Sequence, residues 1–173
     1  MVSFAQRNGI NQRPKIGKLM AIQEEIYRQL HLLLPDSISH YDVLESRVTG
    51  SPPLILHLLE RHPYTTFLRL TYAFTGSGNA RFSPNAHIRL YHDAKLAEVT
   101  SFSSQQGIRR FASPFIPARN IMLRAWRQNR VLEKWLDYVL HQGHHTETMR
   151  PVSESRAVSH TAKVPVTIEE AIN

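Results

Sequence analysis

Apolar residues Leu19, Ile22, Ile26, Leu30 and Leu33 recur three or four positions apart. That spacing puts them on one stripe of an amphipathic helix running from Ile16 to Leu34, which Pro35 ends by pushing the residue before it out of helical geometry. After Asp36-Ser37 the pattern becomes strand-like. Tyr41 to Val48, Leu54 to Glu60 and Thr65 to Phe74 are rich in β-branched, aromatic or Leu residues, with Gly50-Ser51-Pro52-Pro53 and His62-Pro63 between them. Gly76 to Asn79, with Pro84 beyond, predicts a longer loop. His87 to Tyr91 and Lys95 to Thr100 flank His92-Asp93-Ala94 and predict an antiparallel hairpin, its Asp bonding its own backbone in the turn. Links this short exclude parallel pairing, which needs a crossover of roughly a dozen residues. From about Arg119 to Gln142 the helical period returns. Ala125, Leu132, Trp135, Leu136, Val139 and Leu140 share one side, Arg127, Arg130 and Lys134 the other, and Gly143 is placed to cap the helix.

The expected architecture is a single α+β domain over 16–143, in which an N-terminal and a C-terminal helix cover one face of an antiparallel sheet of about five strands. A short edge strand is expected at Ile108 to Ala112. Residues 1–15 show no period and read as a flexible basic arm. Residues 144–173, rich in Ser, Thr and Val without order, read as a mostly disordered tail, although Thr167 and Glu170 have capping-box spacing.

Composition narrows the chemistry. With 173 residues, 42% of them hydrophobic, the chain can bury a core without disulfides or a structural metal. Cysteine is absent, which removes thiol nucleophiles, thiolate zinc sites and iron-sulfur clusters. No run of about 18 apolar residues occurs, so a cytoplasmic protein without a membrane partner is expected. The net charge of +7 is unevenly spread. Residues 1–19 carry +4, residues 20–108 carry −1, and residues 109–134 carry +6 through Arg109, Arg110, Arg119, Arg124, Arg127, Arg130 and Lys134 against Glu133. An anionic partner needs such a concentration of like charge, and an exposed helix face also tolerates it.

Two polar clusters carry the remaining candidates. Around the predicted hairpin, His87, Arg89 and Tyr91 share one face and Ile88 and Leu90 the other, while Glu98 falls opposite or diagonal to Arg89. As chemistry, His92 and Asp93 would serve as a general base and Arg89 or Tyr91 would hold an anion; the structural reading, in which Asp93 builds the turn and the Arg89–Glu98 pair pins register, is preferred. The second cluster, Arg61, His62 and Tyr64, sits at the turn before Thr65. If the two met at one sheet edge they would form a pocket for phosphate or carboxylate, since Arg presents a planar fork of donors. The ten His residues form no ligand motif of metal-binding spacing, and neither a phosphate loop nor a nucleophile elbow occurs. No catalytic residue, metal or cofactor is therefore assigned.

The segment Arg89-Leu-Tyr-His-Asp-Ala-x-x-Ala-Glu-Val, with Arg61-His-Pro-Tyr-Thr-Thr upstream and Asn129-x-x-Leu-x-x-Trp-Leu-x-Tyr-x-Leu-x-x-Gly143 downstream, resembles the YqiB-like bacterial family, a domain of unknown function. The resemblance runs from about Leu19 to Gly143. It implies a cytoplasmic protein whose gene commonly neighbours those of a cyclic-AMP phosphodiesterase and a Nudix hydrolase, and it transfers no catalytic residue. The functional expectation is a binding or regulatory module that meets an anionic protein or nucleotide through Arg61, His62, Tyr64, Arg89, Tyr91, His92, Arg124, Arg127, Arg130 and Lys134. An enzyme acting on a phosphorylated or nucleotide substrate is the second expectation. A protein that stacks single-stranded nucleic acid on sheet aromatics is the third.

Overall fold

The computed structural model describes residues 16–75, 80–103 and 118–152. Helix α1 spans Ile16–Leu33; strands β1 (Val43–Ser46), β2 (Leu54–Arg61), β3 (Thr65–Thr75), β4 (Ala80–Tyr91) and β5 (Leu96–Ser103) follow, then helix α2 (Ala118–His141) and strand β6 (Met149–Pro151). The sheet is antiparallel in the order β5-β4-β3-β2-β1-β6. β1 to β5 form a meander because each link is too short for anything but reversal. The α+β architecture expected from the pattern is present, with six strands among the described residues in place of about five.

Alternation along the strands decides which face is covered. Leu54 and Leu56, Leu68 and Leu70, Ile88 and Leu90, and Ala97 and Val99 turn to the helices and are buried, where they meet Ile26, Leu30 and Leu33 of α1 and Leu132, Leu136 and Val139 of α2. At about 25 cal/mol per Å² of apolar surface removed from water, each of these side chains contributes roughly 1.5–3 kcal/mol. Edge strand β5 is closed by α2: the buried Asn129 accepts the Val99 N–H at 3.0 Å and donates to the Ala125 carbonyl at 2.9 Å. An otherwise open strand edge thereby loses one of its unpaired donors.

Two expectations are corrected. Pro84, read as part of a loop, lies within β4 where the pairing with β3 shifts register between Thr71 and Ala73, and a bulge is where a strand tolerates a residue without an N–H. Residues 144–152, expected to begin the tail, belong to the fold. α2 ends in a Schellman arrangement, with Gly143 at φ +92°, its N–H bonded to the Leu140 carbonyl and the His144 N–H to the Val139 carbonyl. The chain then turns back, and β6 pairs with β1 through Ser46↔Met149, Glu45↔Arg150 and Leu44↔Pro151, with the Val152 N–H bonded to the Val43 carbonyl. The basic arm 1–15, the loop 76–79, the edge strand expected at 108–112 and the tail 153–173 lie outside the described residues.

Candidate functional site

The strand pleat divides the hairpin candidates between two faces. Tyr91 and Arg89 point away from the helices. The Arg89 guanidinium stacks 4.7 Å from the centre of the Phe67 ring and donates to the Tyr91 hydroxyl at 3.1 Å. That hydroxyl donates to Glu98 Oε1 at 2.8 Å, and Arg89 Nη1 lies 3.6 Å from the same oxygen. Arg89 and Glu98 are direct cross-strand partners, as the alternation implied. The Tyr91 hydrogen bond is the main reason the Arg89 pKa is raised, with Glu98 and Glu60 adding to it. This network pins the β4–β5 register and leaves Arg89 charge-balanced.

His92, one residue past Tyr91, turns the other way. Its Nε2 meets Thr66 Oγ1 at 2.8 Å, and its backbone N–H bonds to the Tyr64 carbonyl at 2.9 Å. Here it borders a shallow cavity of about 220 Å³, with Leu34 and Leu90 below and His31 and Asp36 at the rim. Arg61 reaches instead towards β1, donating to the Tyr41 carbonyl at 2.9 Å and Asp42 Oδ1 at 3.1 Å. His62 is exposed, 3.3 Å from Glu60, and Tyr64 is exposed in the turn. The six residues therefore share one end of the sheet without lining one pocket. Among the described residues, no group of three or more His, Asp or Glu side chains is placed to hold a metal.

The sheet aromatics are also dispersed. Tyr72 and Phe102 pack edge-on against Trp135 beneath α2 at 5.8 and 6.0 Å, and Phe67 lies under Arg89. A stacking platform would need such rings bare on one face beside basic groups.

The helix candidates are better gathered. Arg124, Arg127, Arg130 and Lys134 are all exposed. Arg124, Arg127, Val131, Lys134 and Tyr138 recur at three- and four-residue spacing and form one outer stripe of α2, with Val131 48% and Tyr138 50% exposed. Arg130 belongs to the adjoining stripe, where it pairs with Glu133 at 3.1 Å, and His141 lies 3.4 Å from Asp137. Both acids of α2 thus neutralise the neighbouring stripe and leave the first one wholly basic.

Two chemically notable side chains are not marked as site residues by the sequence. Arg69 sits on the outer face between His57 of β2 and His87 of β4, its cross-strand partners. Its signal was available in the alternation Phe67, Arg69, Thr71. His144, assigned to the tail, is fully buried, with Nδ1 2.7 Å from Ser46 Oγ and Nε2 3.0 Å from Ser51 Oγ. No period marks it.

A family described as "Protein of unknown function (DUF1249)" matches residues 29–145, two-thirds of the chain and both hairpin and helix motifs. The chain belongs to the DUF1249 family. Relatives within reach of it include the "Uncharacterized protein YqiB" of Escherichia coli strain K12 and its counterpart in Escherichia coli O157:H7, each 32% identical over 133 residues that cover 75% of this chain and 91% of that protein. The YqiB-like resemblance is thereby established. No solved structure matches. The DUF1249 match includes the β1–β5 meander and all of α2, so the α2 stripe and the Arg89 network both lie in the shared region. Among the described residues no helix is long and apolar enough to cross a membrane.

Proposed function

We propose that this DUF1249 protein is a cytoplasmic, non-enzymatic binding module that docks an acidic helical segment of a partner protein along the outer face of α2. The observation that carries this reading is the stripe Arg124, Arg127, Val131, Lys134 and Tyr138, where three cations share the face with two half-exposed apolar side chains and no acid intervenes. It extends about 21 Å along the helix at 1.5 Å per residue, the length of a four-turn amphipathic partner. Val131 and Tyr138 supply contact area that is dry when covered, and the cations steer and orient a complementary acidic face. Tyrosine and arginine are also the residues in which interface energy concentrates.

Calorimetric titration of the full chain with an acidic amphipathic peptide tests this. Reversing Arg124, Arg127 and Lys134 to Glu together is expected to weaken binding by well over tenfold, about 1.4 kcal/mol per decade. Reversing Arg130, which already has Glu133, is expected to change it less than threefold. Equal affinity in the triple variant refutes the reading.

A further inference from the structure

We propose a second binding site on the sheet face opposite the helices, where Arg69 and His87 receive a phosphoryl group. The observations are independent of α2. Arg69 and His87 are direct cross-strand partners on β3 and β4, so their Cβ atoms stand about 5 Å apart on the same face. Arg89 lies diagonally beyond His87, at roughly 7–8 Å.

The two arginines of this face differ in one decisive respect. Arg89 is charge-balanced by Glu98 and stacked on Phe67. Arg69 is half-buried, and among the described residues it makes neither an ion pair nor a hydrogen bond; its Nε, like that of Arg89, is shut off from solvent without an acceptor. Burial lowers its pKa, the mark of a cation that the protein has desolvated and left uncompensated. An unpaired, partly desolvated guanidinium is costly, and an incoming anion offsets that cost. Three acids on this face are engaged elsewhere: Glu98 with Tyr91 and Arg89, Glu60 with His62, and Glu45 with Arg47 at 2.6 Å.

His87 supplies the second donor. Ser101 Oγ meets its Nδ1 at 2.9 Å, which fixes the ring plane and leaves Nε2 as its other hydrogen-bonding position. Burial, and then the charge of Arg69, hold its imidazole below the usual range, so the ring is neutral near pH 7 in the absence of an anion. A dianion beside the pair reverses that second influence and draws a proton onto His87. A phosphoryl group fits because it presents three strong acceptor oxygens and titrates near pH 6, in the same range as the imidazole. A carboxylate offers two acceptor oxygens and a single charge, and so holds the Arg69–His87 pair less well than a dianion with three.

The test is an NMR titration of the full chain with inorganic phosphate at constant ionic strength, following the His87 ring nitrogens, with acetate in a parallel arm. The expected result is saturable binding of phosphate, a rise in the His87 pKa on saturation, and at least tenfold weaker binding of acetate. Arg69→Gln is expected to weaken phosphate at least tenfold. His87→Asn, which keeps a polar group at the position, provides a second variant with an expected loss of several-fold. A repeat with AMP separates a nucleotide source, which binds more tightly than phosphate, from a bare phosphoryl group, which binds equally. The protein with Arg124, Arg127 and Lys134 reversed is expected to retain the phosphate affinity, so that failure here and failure of the α2 reading are distinct results. A linear, non-saturating response, equal affinity in both Arg69→Gln and His87→Asn, or parallel loss in the α2 variant overturns the proposal.

Discussion

His144→Ala removes a ring with no solvent exposure, whose two nitrogens are bonded to Ser46 Oγ at 2.7 Å and Ser51 Oγ at 3.0 Å. Ser46 keeps a partner in Thr148 Oγ1 at 2.6 Å; Ser51 is left with a long contact to the Pro52 carbonyl at 3.5 Å. Two hydrogen bonds at about 1 kcal/mol each and a partly collapsed cavity beside Tyr72, about 1 kcal/mol more, give a loss of about 3 kcal/mol. In a domain of this size that lowers Tm by about 6–12 °C. The damage concentrates at β6, because His144 joins that segment to β1 through Ser46. The same ring makes stability depend on pH. Burial, with a smaller contribution from His145, holds the His144 pKa below its ordinary value of 6.5. The unfolded chain therefore binds the proton more readily, so the His144 contribution is fully present above pH 6.5 and is lost as pH falls through the folded-state value. Urea unfolding at pH 7.5 and at pH 5 is expected to show a smaller acid loss in His144→Ala than in the wild type, the remainder belonging to His87 and the acids. A variant within about 0.5 kcal/mol of wild type, with an unaltered pH profile, refutes the latch.

Three further substitutions probe other parts of the account. Asn129→Ala exposes the Val99 N–H at the β5 edge and is expected to cost about 1–2 kcal/mol in urea unfolding, with faster amide exchange at Val99. Gly143→Ala is expected to cost about 1 kcal/mol, from backbone strain at φ +92° and not from crowding, since the added Cβ stands 3.5 Å from Val48 Cγ1. Tyr91→Phe breaks the bridge between Arg89 and Glu98 and, at a part-exposed site, is expected to cost no more than about 1 kcal/mol by thermal melting.

The parts of the fold that were legible in the sequence are those in which a period repeats. α2 carries its apolar side at Leu132, Leu136 and Val139 through about two turns, and the hairpin alternates Ile88 and Leu90 against Arg89 and Tyr91, so faces, register and the Arg89–Glu98 pair follow from spacing. β6 was not legible because three residues carry no period; it exists because Met149 fills a buried place beside Leu44 and Ser46. Pro84 misled for a physical reason: a proline without an N–H normally argues against a strand, and only the bulge opposite Tyr72 admits it. The candidate site was half legible. Exposure of Arg124, Arg127 and Lys134 follows from the helical period, but the pairing of Arg130 with Glu133 depends on rotamers. The isolation of Arg69 depends on what every neighbouring acid does elsewhere, which no local pattern records.

Amide and side-chain chemical shifts of the full chain, followed as an acidic peptide is added, map where that peptide sits. Changes are expected only at Arg124, Arg127, Val131, Lys134 and Tyr138, with the opposite sheet face silent. A footprint on the outer sheet face around Arg69 and His87, with α2 unmoved, contradicts docking on α2.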